Sequence, residues 1–149
     1  MSIKEDTSAI VTAARKFMEE YSAVVISGNS SEDKTEVSAK MATYYKAPLA
    51  FLAGGKVGHM TDQSQFAPLI KSTLDKAASI SSVPLVLHEI EVKAVAEKSA
   101  IAWLHLSMLD IQVYNVYFIR MNEVGDVYFE GGIFDGENFL TAQLEKLHQ

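Results

Sequence analysis

The stretch Val86-Leu-His-Glu-Ile-Glu-Val-Lys-Ala94 alternates its side chains, and after a turn at Lys98-Ser99 the run Ala100-Ile-Ala-Trp-Leu-His-Leu-Ser-Met-Leu-Asp-Ile111 is nearly apolar on both faces. Successive side chains of a strand point to opposite faces, so both stretches read as strands. Val113 to Met121 reads as a third, Asn122 to Asp126 as a turn with Gly125, and Val127 to Phe134 as a fourth, with Gly131-Gly132 signalling a bulge or a sharp bend. Strands of this length exceed the usual ~5–6 residues. Long strands in a small sheet curl, and strands apolar on both faces need cover on both sides. One face can take helices; the other must close a cavity or pack on a second subunit.

Upstream the period is helical. Ile10, Ala13, Ala14, Phe17, Tyr21, Val24 and Val25 fall at spacings of three and four, which makes one apolar stripe. Asp6, Thr7 or Ser8 can cap its start and Gly28 suits its end. The polar segment Ser27 to Lys34 reads as a loop. A second helix places Val37, Met41, Tyr44 and Tyr45 on one face and stops at Pro48. Leu49-Ala-Phe-Leu-Ala53 reads as a short strand entering a turn at Gly54-Gly55. A third helix is expected over about Asp62 to Ala78, with Asp62 and Gln65 as a capping box. Pro68 lies too deep for a first-turn position in such a helix, so either the helix kinks or residues 62–67 form a separate turn. Phe139, Leu140, Gln143, Leu144 and Leu147 suggest a final helix. Helices first and a meander of strands afterwards indicate α+β, not a βαβ fold.

The chain has 149 residues, 48% of them hydrophobic, and a net charge of −6. That length suits one domain spanning 1–149, and the acidic balance argues against nucleic acid as a partner. With no cysteine, disulfides, thiolate metal sites and a cysteine nucleophile are excluded. The opening Met-Ser-Ile-Lys-Glu-Asp has no apolar core of a signal peptide, and no apolar stretch approaches the ~20 residues of a membrane helix. A cytoplasmic protein with no membrane association is the expectation.

The order of elements resembles that of the nuclear transport factor 2-like superfamily, which includes SnoaL-like polyketide cyclases, ketosteroid isomerase and scytalone dehydratase. The resemblance runs from about Ala9 to Phe134. It is carried by the opening helix through Phe17-Met-Glu-Glu-Tyr21, by Tyr44-Tyr-Lys-Ala-Pro-Leu-Ala-Phe-Leu-Ala-Gly-Gly55 and by the strands ending Val127-Tyr-Phe-Glu-Gly-Gly132. It implies a curved antiparallel sheet forming a cone around a long N-terminal helix, a cystatin-like α+β barrel, with a pocket at the open end. It also implies homodimers that pair through the outer face of the sheet. Fold alone does not fix activity.

Residues that could carry chemistry follow from both lines of reading. Tyr21 falls near the helix tyrosine that, in ketosteroid isomerase, points into the pocket and bonds a substrate oxygen. The carboxylate base which that enzyme carries in its first strand has no counterpart in Leu49 to Ala53. His88 shares a phase with Ile90 and Val92, and His105 with Trp103 and Ile101; pairing about the Lys98 turn brings the two histidines near each other. A single bulge would decide whether they share a face. His88 resembles one of the sheet histidines of scytalone dehydratase, while the acid on that enzyme's opening helix is missing near Ser27 or Gly28. Histidine suits general acid–base work near neutrality. SnoaL-like cyclases use a pocket aspartate as the acid–base group, and Asp110, at the end of an apolar strand, is a candidate for that role; the simpler reading is a strand-end aspartate facing water. His59, beyond the first-strand turn, could reach a cavity mouth. The three histidines have no metal-ligand spacing, so no metal is expected.

Phe51, Trp103, Met108, Tyr117 and Phe129 suit the wall of an apolar pocket. The sequence therefore supports binding of a small hydrophobic molecule. One form is a cofactor-independent isomerase, cyclase or dehydratase using His88, His105, Asp110 and Tyr21; the alternative is a non-catalytic binding or dimerisation module.

Overall fold

The computed structural model describes residues 6–147, with the side chains of 137–139 outside that description. Its first element, α1 (Ser8–Ser30), buries Ile10, Ala14, Met18, Tyr21, Val24 and Val25, so the predicted stripe is the buried face. Asp6 starts the helix, accepting hydrogen bonds from the Ser8 amide at 3.0 Å and hydroxyl at 2.7 Å.

Gly28 does not end α1. It is buried inside the helix, where a Cβ would come within 2.6 Å of a Val37 methyl. Glycine there lets α2 (Lys34–Ala42) close against α1. The end of α1 is met by a cation instead. Lys34 is only 6% exposed. Its ammonium donates to the Gly28 oxygen at 2.7 Å, to the Asn29 oxygen at 3.0 Å and to the Ser31 oxygen. The last carbonyls of a helix lack internal partners and carry partial negative charge, which a lysine can answer. The expected eight-residue loop therefore shrinks to 31–33, and Asp33 caps α2 through the Thr35 amide at 2.8 Å.

Helix α2 ends at Ala42, earlier than expected, and Tyr45 opens strand β1 (Tyr45–Ala53). Pro48 lies within that strand, after a cis bond from Ala47. β1 pairs with β6 at Tyr45 and again only from Ala50, and its pairing with β2 (Lys56–Met60) begins at Leu49. The missing proline N–H falls in that gap and costs no ladder bond. The capping box at Asp62 and Gln65 belongs to a separate short turn, Gln63–Gln65, ahead of α3 (Phe66–Ile80). That puts Pro68 in the first turn of α3, where an N–H would have no helical acceptor.

Strands β3 (Val86–Ala96), β4 (Ser99–Met108), β5 (Ile111–Met121) and β6 (Val127–Ile133) precede a last helix, α4 (Asp135–Leu147). The sheet order is β2-β1-β6-β5-β4-β3, curved and unclosed, with β2 and β3 at the edges. The expected antiparallel pairing holds except at β1 and β6, which run parallel. These two strands are separated in sequence by α3 and a three-strand meander, long enough to bring the chain back in the same direction. The irregularity lies beside the glycine pair: Phe118 faces Gly131 and Ile119 faces Phe129, so Glu130 is the extra residue of a bulge. A Cβ on Gly131 would stand 2.8 Å from the Ala50 oxygen, so the close approach of β1 requires glycine. No described helix is long and apolar enough to cross a membrane.

The buried ammonium gives a direct test. Lys34→Met keeps the length of the stem and leaves the α1 carbonyls without their donor. It is expected to lower the unfolding free energy by about 2 kcal/mol, read from urea denaturation.

Candidate functional site

The inner face of the curved sheet is not filled. A cavity of about 320 Å³ lies between Tyr21 and Val25 of α1, the inner rows of β1, β4 and β5, one face of α3, and Leu140 and Thr141 of α4. Period two fixes its walls. On β4 Leu104 and Leu106 face it, on β5 Val113, Asn115 and Tyr117, and on β1 Leu49, Phe51 and Ala53. α3 supplies Phe66, Ile70, Leu74 and Ala77 at spacings of three and four. No acidic, basic or histidine side chain is among the described lining residues.

Of the candidates named from sequence, Tyr21, Phe51 and Tyr117 line this space. Tyr21 is fully buried, and its hydroxyl lies 2.5 Å from that of Tyr45, another lining residue. Phe129 is fully buried and packs edge-on to Tyr21 at 4.9 Å, behind the wall rather than in it. Met108 is likewise wholly in the core. Burial, and next the carboxylate of Glu20, pushes the Tyr44 phenol above its ordinary value; Tyr44 packs on Tyr21 at 5.2 Å without reaching the cavity.

The histidine expectations need correction. β3 pairs with β4 at Leu87↔Leu106 and then at Glu89↔His105, so His88 is the extra residue of a bulge. The bulge breaks the alternation that put His88 in phase with Ile90, and turns its ring to the outer face. There it packs on His105 with ring centres 4.6 Å apart, and its Nε2 lies 2.6 Å from the Ser107 hydroxyl. His105 also stacks on Tyr114 at 4.3 Å and bonds Gln112 at 2.6 Å. The two histidines do meet, but on the convex side, away from Tyr21. Trp103 shares that outer face and is 39% exposed. Asp110 is exposed in the turn between β4 and β5, so it is not an acid held in an apolar pocket. His59 is exposed on β2 opposite Ala50, facing outward, because its neighbour Met60 takes the inner side with Leu49.

Tyr45 and Asn115 are among the lining residues that escaped the sequence reading. In the sequence Tyr45 falls on a helix face that Pro48 would stop, whereas it opens β1. Asn115 sits in the inner row of β5, between Val113 and Tyr117, and is 2% exposed. Its signal was available: a single carboxamide in an otherwise apolar and aromatic period-two row. With hydroxyls and amides only, the cavity can hold and orient a neutral molecule by hydrogen bonds. Among described residues it offers no carboxylate or imidazole to move a proton.

This arrangement of a long helix and a curved six-stranded sheet has counterparts in solved structures. An NTF2-like protein of cystatin-like fold from Novosphingobium aromaticivorans is 13% identical, with a TM-score of 0.56 over 82% of this chain and 78% of that one. The fold is that of the NTF2-like proteins. An inferred ketosteroid isomerase from Shewanella frigidimarina matches at 13% identity and TM-score 0.58, over 81% of this chain and 93% of that one. An inferred association domain of calcium/calmodulin-dependent protein kinase II from Xanthomonas campestris matches at 13% and 0.56, over 83% and 84%. No protein-family profile and no curated protein matches the sequence. The NTF2-like likeness is thus one of fold, reached through topology rather than through shared residues.

The hydroxyl contact of Tyr21 and Tyr45 can be measured. A double-mutant cycle over Tyr21→Phe and Tyr45→Phe is expected to show a coupling of about 1 kcal/mol in unfolding free energy.

Proposed function

We propose that this NTF2-like protein binds a small, uncharged, mostly apolar molecule in the internal cavity. The observation that carries this reading is the lining: a space of about 320 Å³ walled by aliphatic and aromatic side chains, with hydroxyl and amide groups as its only described polar equipment. Such a wall rewards the burial of apolar surface by about 25 cal/mol per Å². A charged ligand would lose its hydration there without meeting an opposite charge.

Tyr21 and Tyr117 supply polar tips on aromatic bodies, and Phe51 part of the wall. Binding is favoured over an isomerase, cyclase or dehydratase activity because His88, His105 and Asp110 stand outside the cavity. The name of the Shewanella structure keeps small-molecule chemistry in view for the fold, without a matching acid–base set here.

A cavity-filling variant tests this. Ala77→Phe places a ring into the space from α3. It is expected to lose at least tenfold in affinity for naphthalene or a similar apolar probe in calorimetry, with an unchanged circular-dichroism spectrum. Equal binding by wild type and variant would place the probe elsewhere.

A second reading concerns the outer face. Trp103, Phe118, Tyr114 and Leu52 leave between 38% and 62% of their surfaces open there. The same face carries both signs of charge, with Arg120 on Glu130 at 2.9 Å and Glu91 and Lys93 on β3. A second copy of this chain is the fitting occupant, since a two-fold pairing brings the same mixed face to itself and buries the aromatic surface. The association domain among the fold relatives supports that reading by its name. Trp103→Glu is expected to shift a dimer to monomer in sedimentation velocity while leaving the fold intact, because Trp103 is already half open to water.

A further inference from the structure

The cavity wall is uneven in its exposure. Among the described lining residues only Leu69 is exposed, with 50% of its surface open. A side chain that lines the space and stands half in water marks where the space meets solvent. The wall is shut near both ends of α3. Met60 and Phe66 are buried at one, and Asn29, Ala77 and Leu85 at the other. Between those ends the lining is half-buried at Ile70 and Thr73 of α3 and at Thr141 of α4. The edge of α3 that carries Leu69 and Thr73 continues to Lys76 at helical spacing. Lys76 pairs with Glu145 of α4 at 3.1 Å, and Glu145 stands one turn beyond Thr141. The ion pair therefore marks the seam between the two helices, and Leu69, Thr73 and Thr141 lie on the same two edges beyond it.

We propose that the cavity opens along this seam, at Leu69 and Thr73 of α3 and Thr141 of α4, and that its ligand is amphipathic, with an apolar body inside and an uncharged polar end at the mouth. This rests on the cavity reading above and adds the route and the orientation. The apolar body follows from the wall, where burial of apolar surface is rewarded. The orientation follows from hydration, because a polar end at the mouth keeps its water while one carried inward loses it. Thr73 suits that place. Its hydroxyl donates to the Leu69 oxygen at 3.2 Å, and a hydroxyl that donates can still accept. Leu69 stands on the path in both directions, so it governs the rates of exchange more than the affinity.

Two uncharged probes test this in the full chain: 2-ethoxynaphthalene, and the same ring carrying a tetraethylene glycol tail through its ether oxygen. Affinities come from calorimetry, and rates from stopped-flow fluorescence excited above the tryptophan band, for wild type, Leu69→Trp and Leu69→Ala. Wild type is expected to bind the two probes within about threefold of each other, because the tail leaves through the mouth. Leu69→Trp is expected to slow both association and dissociation of 2-ethoxynaphthalene by about 10-fold, with its dissociation constant little changed. The same variant is expected to weaken the tailed probe relative to the untailed one. Leu69→Ala adds no bulk and is expected to speed both rates. Leu69 is half open to water, so both variants are expected to keep the wild-type circular-dichroism spectrum. If rates are equal in all three proteins, or change in dissociation alone, the mouth is elsewhere and only the cavity reading stands. If wild type binds 2-ethoxynaphthalene and rejects the tailed probe, the ligand is enclosed whole and the proposed orientation falls. If wild type binds neither probe, the cavity reading and the mouth fall together.

Discussion

The interior is organised around one ring. Tyr21 is fully buried at the middle of α1, and it packs edge-on against Tyr44, Tyr45, Tyr117 and Phe129 at 4.9 to 5.8 Å. Those four contacts tie the helix to β1, β5 and β6 at a single point. Edge-to-face aromatic pairs contribute beyond the area they bury. They also fix how far α1 can descend into the curve of the sheet. On one side of Tyr21 the stripe of Ile10, Ala14 and Met18 descends to full burial. On the other, the curve is too wide for the helix to fill, α3 forms the opposite wall, and the cavity is what remains. Its position therefore follows from the same contact that holds the core together.

Much of this was legible in the sequence. The α1 stripe, the four long strands, the capping box at Asp62 and the bulge beside Gly131-Gly132 all follow from period and turn chemistry. They sufficed for the fold, because hydrophobic period and element order are fixed by local residues. What failed were the places where a non-local contact overrode a local signal. Gly28 reads as a helix stop, yet the chain continues because a buried ammonium six residues later meets the carbonyls. Pro48 reads as a break, yet β1 passes through it where neither neighbour needs its N–H.

The site was less legible than the fold, and for a related reason. Side-chain phase on a strand is exact only until the first bulge. One extra residue at His88 sends a histidine from the expected inner face to the outer one, where it meets His105. The same error cannot arise on β5, whose pairing with β4 is unbroken from Ser99↔Arg120 to Met108↔Ile111. There the alternation is trustworthy, and it places Asn115 on the inner wall without ambiguity.

The two faces of β4 and β5 consequently carry different sets of side chains. Inward lie Leu104, Leu106, Asn115 and Tyr117; outward lie Trp103, His105, Tyr114 and Phe118. A strand one residue thick cannot let its outer substitutions alter the inner wall unless the backbone shifts, and an unbroken ladder resists such shifts. Charge is distributed accordingly. The described ion pairs and the histidine pair stand outside the cavity, while polarity inside is limited to groups that bond without ionising. A space so lined disfavours charge and accepts neutral groups, since no carboxylate, ammonium or imidazole is among its described lining residues.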